Sequence, residues 1–229
     1  MGASTGTARP IFDRAAAVTR SLLGYGVVVG PFYLLVGILQ GIFRPGFSFA
    51  RHPLSVLANG SFGWVQTINF ALSGIMVVAA AVGMKRVVGR GSGPTFGALV
   101  VFGVGVFLAA IFRADPMDGF PIGTPSGMPT SMTTRGMMHF VVSMIAFTSF
   151  GVSAILASRM FSRREENAMS RLSLVSGIVV LLTFYAGSAL NPVVGIWISV
   201  VVGWTWFAVI SLHLYRRSPS PNCVAAERR

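Results

Sequence analysis

Six apolar runs, each close to the length that crosses a bilayer, decide most of what this chain can fold into. They cover roughly residues 22–43, 62–84, 96–112, 137–160, 172–190 and 194–215. A hydrocarbon core about 30 Å thick needs about twenty mostly apolar residues per helix. Backbone inside it must satisfy its own hydrogen bonds, which helices do. The third run is the shortest, and Gly91-Ser92-Gly93 before it predicts a helix start near Pro94. Asn191-Pro192 predicts a tight turn between the last two runs. The reading is an all-α polytopic membrane protein with six transmembrane helices in one bundle. Residues 1–20 form an N-terminal segment, 21–216 the membrane domain and 217–229 a tail. The first run is too long for a signal-peptide core and is expected to be a retained helix.

Composition supports a membrane home. Hydrophobic residues make up 53% of the chain and charged residues 10%, against about 25% charged in soluble domains. The net charge of +12 would suggest nucleic acid in a soluble protein. Here the basic residues collect in alternate connections: Arg9, Arg14 and Arg20; Lys85, Arg86 and Arg90; Arg159, Arg163, Arg164 and Arg171; Arg216, Arg217, Arg228 and Arg229. The other side holds Arg44, Arg51, Arg113 and Arg135. Basic residues face the cytoplasm, so both termini are expected there, with the bilayer as partner and no nucleic acid. Cys223, the single cysteine, excludes a disulfide within the chain.

The polar residues of the helices lean to the outer half. Gln40 lies near the end of the first helix, and Gln66 and Asn69 share a face of the second. His139 and Ser143 share a face at the start of the fourth, and Tyr185 and Ser188 one of the fifth. Above them stand two long loops, one with "RHPLSVLANG" from Arg51 and one with "RADPMDGFPIGTP" from Arg113. The second holds two of the chain's six acidic residues. Ionisable groups at membrane depth are costly and mark function. Asp115, Asp118 and His139 are therefore the catalytic candidates. Arg51, His52, Ser55, Gln66, Asn69, Arg135 and Tyr185 are the ligand-binding candidates. The expected ligand is a hydrophobic, lipid or isoprenoid-like small molecule in a pocket on the outer side.

Each residue also has a structural reading. Asp115-Pro116 and Asp118-Gly119 are turn dipeptides, Arg51 can pair with an aspartate across the loops, and either histidine can be a satisfied packing residue. Asp115, closest to the apolar run, is expected to be the functional carboxylate, with Asp118 shaping the turn. A neutral Asp could start the cyclisation of a prenyl chain, with Phe112, Phe120, Phe140 and Trp64 facing cations. A metal-assisted hydrolase using His52 and His139 is a further alternative. No cofactor or metal is expected, because the three histidines lie near helix ends without metal-ligand spacing.

The segments "RPGFSFARHPLSVLANGSFGWVQTINF" and "FRADPMDGFPIGTP…MMHF" resemble domain-of-unknown-function family 998, bacterial six-helix membrane proteins. The matching positions are Arg51, His52, Ser55 and Leu57, then Asp115 and Pro116, then His139. The resemblance implies the topology and a bacterial inner membrane, and no established chemistry. Size, helix content and acidic residues at a helix end are also similar to small actinobacterial membrane cyclases of meroterpenoids.

Overall fold

Asp13 starts the first helix, its carboxylate accepting hydrogen bonds from the backbone N–H groups of Ala15 and Ala16. Helix α1, Arg14–Phe43, therefore begins well before the apolar run that predicts it. The computed structural model describes residues 11–187 and 191–223. Ser188, the end of the fifth predicted run, Arg9, Arg228 and Arg229 lie outside them. The other helices are α2 Gly63–Val88, α3 Gly93–Ile111, α4 Thr134–Ser162, α5 Asn167–Tyr185 and α6 Pro192–Arg217. All six are long and apolar enough to cross a membrane, so this is an all-α, multi-pass membrane fold. Two two-residue strands, β1 Ile11–Phe12 and β2 Asn222–Cys223, pair antiparallel and tie the first segment to the last.

Each helix packs on its neighbour in sequence, and α6 returns to pack on α1, which closes a ring. Across the ring α6 also touches α2 and α4. The outer faces are greasy: Val28, Leu35 and Ile42 of α1 are all more than half exposed. Such faces suit lipid and not water. Between helices there is little hydrophobic drive in lipid, so close backbone approach carries the packing. Gly74 of α2 and Gly103 of α3 face each other this way. A Cβ added at Gly74 would sit 2.5 Å from the Gly103 carbonyl oxygen and 2.6 Å from the Phe107 nitrogen.

Both described chain ends lie at one end of the bundle, with the basic connections. Glu166 is the hub there, taking His213 Nε2 at 2.5 Å and Arg217 Nη1 at 2.7 Å. Arg20 lies over the Tyr215 ring at 4.2 Å and donates to the Ser218 carbonyl. Arg164 donates to the Val88 carbonyl at 2.6 Å. At the opposite end two loops and a short 3₁₀ turn, Leu54–Ala58, cover the ring. Arg44, just past α1, donates to the carbonyls of Leu57 and Asn59 and lies over the Phe120 ring. This fixes the turn to α1.

Candidate functional site

The acidic loop folds back on itself. Met117 and Phe120 exchange backbone hydrogen bonds, and Asp118 N–H donates to the Gly127 carbonyl. Asp118 has φ +46, and its carboxylate accepts from Gly127 N–H. Phe120 is thereby driven inward, almost wholly buried, against Phe47 and His52. His52 is completely buried. Its Nδ1 accepts from Ser48 N–H at 2.9 Å, so Nε2 carries the proton and donates to the Asp118 carbonyl at 3.0 Å. Arg51 reaches the Asp118 carboxylate at 3.8 Å from the surface. The two loops are therefore stitched together through Arg51, His52 and Asp118.

Asp115 makes a different connection. Its Oδ2 accepts from Thr133 N–H at 2.9 Å and its Oδ1 from the Thr133 hydroxyl at 2.5 Å. The same hydroxyl caps α4 by accepting from Gly136 N–H. The carboxylate occupies the space that Gly136 leaves open, where a Cβ would lie 2.0 Å from Oδ2. An acidic group at a helix N-terminus is favoured by the helix dipole. Arg113 is exposed and forms no ion pair with Asp115.

Beneath the loops lies a cavity of about 380 Å³. It runs from the loops to the level of Tyr33 and Trp204, about 15 Å along α1 from its loop end. The floor is aromatic: Phe102 stacks on Phe150 at 3.8 Å, and Trp204 sits 5.1 Å from Tyr33. Polar atoms are few. Tyr33 and Trp204 are buried wall residues, and neither the hydroxyl nor the indole N–H has a hydrogen-bond partner among the described residues. His139, also on the wall, has Nδ1 2.8 Å from the Phe112 carbonyl. That carbonyl can only accept, so Nδ1 donates and Nε2 of the neutral ring is left as an acceptor. Ser55, Asp115, Ser143 and Tyr185 complete the polar lining, the Tyr185 hydroxyl bonding that of Thr148.

The family model described as "Protein of unknown function (DUF998)" matches residues 27–213, well over half of the chain. The chain belongs to the DUF998 family. Every residue of the cavity wall lies inside that match. Neither the comparison with curated proteins nor that with solved structures gives a match.

The DUF998 fold gathers only part of the predicted site. Asp115, His139, Ser55 and Tyr185 reach the cavity. Gln66 and Asn69 do not: they build a buried link between α1 and α2, in which Asn69 donates to the Tyr33 carbonyl and to Gln66, and Gln40 donates to Gln66. Arg135 is exposed, away from the cavity wall. Arg51, His52 and Asp118 belong to the loop stitch. Both His52 nitrogens are used there, so neither is free to share a metal with His139, and among the described residues no three potential metal ligands are grouped. Of the aromatic candidates, Phe140 lines the cavity, Phe112 does not, Trp64 faces outward and Phe120 plugs the loops. Tyr33 and Trp204 are absent from the sequence-level site. Their signal was a lone hydroxyl and a lone indole N–H in the middle of apolar spans, where each needs a partner.

Proposed function

We propose that the cavity binds a single-chain amphiphile, a lipid or an isoprenoid-like molecule. Its hydroxyl or carbonyl group would be served by Tyr33, Trp204 and His139, and its apolar part would lie along Phe70, Val106, Phe140 and Phe147 of the wall. The observation that carries this reading is the pair of unpartnered donors, Tyr33 and Trp204, at the deep end of a mostly apolar wall. Pockets for such ligands combine apolar walls with a few placed polar groups. Native mass spectrometry of the purified protein with added farnesol or palmitate tests it. One ligand per chain is expected. Tyr33→Phe should weaken binding about tenfold, the loss of one buried hydrogen bond. Ala109→Phe, which fills the cavity from a buried wall position, should abolish it. Binding that survives Ala109→Phe in a folded protein rules the cavity out.

We read the loop end as extracytoplasmic in a bacterial cell membrane, because the basic connections gather at the other end. In a Cys223→Ser background, a cysteine at exposed Ser126 should react with an impermeant reagent on intact cells and one at exposed Arg90 should not. The opposite pattern inverts the protein.

A proton-donating cyclase would need Asp115 on the wall, where it stands. Both of its oxygens already accept from Thr133, which favours a role in holding α4 to the loop. Asp115→Asn should then cost about 1–2 kcal/mol of stability, and Asp118→Asn less. Thermal melts in detergent check this. An intact melt for Asp115→Asn with a lowered one for Asp118→Asn would exchange the two roles.

A further inference from the structure

Trp197 of α6 borders two spaces at once. On one side it lines the cavity just described. On the other it lines a shallow groove of about 440 Å³ between α1 and α6, with Ile38, Phe49, Val194 and Ile198. Those four are each more than a third exposed. Ile38 and Ile198 lie within membrane-spanning helices, so what meets this groove in a bilayer is hydrocarbon, and its walls carry almost nothing polar to repel it. Only the Trp197 ring is common to both spaces. Its one polar tie is an N–H donated to the His52 carbonyl at 3.3 Å, at the long end for such a bond. Phe49 packs on the same ring at 5.7 Å.

We infer that the groove seats the hydrocarbon chain of a bilayer amphiphile, and that this chain reaches the cavity sideways through the α1–α6 seam when Trp197 swings aside. This rests on the ligand reading above. His52, held by both ring nitrogens, gives the latch a fixed point. A ligand arriving by this route never leaves the apolar phase, whereas a route through the loops would expose its chain to water.

The test uses the full chain in phosphatidylcholine nanodiscs and palmitate carrying a terminal diazirine. Label is mapped by mass spectrometry after flashes at increasing times. In the unmodified protein, Val194 and Ile198 in the groove should label first, and Phe102 and Val106 in the cavity later. Trp197→Phe keeps a smaller aromatic ring in place and removes the latch, and should speed cavity labelling at least about fivefold, as loss of one weak hydrogen bond implies. Joining Ile38→Cys to Ile198→Cys with a short bis-thiosulfonate reagent, in the Cys223→Ser background, should keep groove label and abolish cavity label. Cavity label arriving at the unmodified rate in the cross-linked protein, or at an unchanged rate in Trp197→Phe, overturns the lateral route alone. No cavity label in any form of the protein overturns both the route and the ligand reading.

Discussion

Gly74→Val is expected to lower stability by about 3 kcal/mol or more, the upper part of the range for overpacking. The added atoms would meet backbone on α3, a carbonyl oxygen at 2.5 Å and a nitrogen at 2.6 Å. Backbone cannot turn away as a side chain can, so α2 and α3 must separate along their contact. That contact also positions Phe102 and Val106 on the cavity wall. Ligand binding should therefore fall with stability. Gly97→Ala supplies the control. It lies on the exposed side of the same α3, with nothing within 4 Å of an added Cβ, and should be neutral or up to about 1 kcal/mol stabilising. Equal melting temperatures for Gly74→Val and Gly97→Ala would show that the close approach is not needed.

His52→Ala should be the most damaging change in the loops, at about 3–4 kcal/mol. It strands the Ser48 N–H and the Asp118 carbonyl, each costing about 1–3 kcal/mol when buried without a partner. It also opens a hole beside Phe47 and Phe120, which adds a cavity term. Limited proteolysis reads the effect directly. The loop of residues 113–133 should become cleavable while the helices stay protected. Arg51→Ala is the comparison, because its 3.8 Å pair with Asp118 is surface-exposed and such pairs contribute little. A loop as resistant in His52→Ala as in Arg51→Ala would refute the stitch.

The fold was legible because hydrophobic length is a property of local sequence. The six spans follow from it, while the start of α3 at Gly93, next to the expected Pro94, follows from the Gly91-Ser92-Gly93 break before the run. The early start of α1 was missed because Asp13 and the alanines after it set the helix by capping and propensity, not by hydrophobicity. The site was legible only in part. Outer-half position identifies residues that share a depth, and His139, Ser55 and Asp115 do share the cavity. Depth does not say which way a side chain turns around the helix axis. Gln66 and Asn69 turn toward α1, and His52 turns into the loops. Tyr33 and Trp204 escaped because a tyrosine or tryptophan in an apolar span reads as packing until its polar atom is found without a partner.

The ring of helices has an effect on how the protein is made. Five of its six seams join helices that follow one another along the chain, but the sixth joins α1 to α6. Until α6 joins, the first five helices form an open arc, with Tyr33 and Phe102 facing a gap. The vestibule is completed when α6 inserts, and Trp204 and Trp197 arrive with it. A ribosome stalled before α6 would leave a protein with an intact loop stitch but no chamber. The final joint in assembly is also the one that carries, at its loop end, the Trp197 N–H bond to the His52 carbonyl.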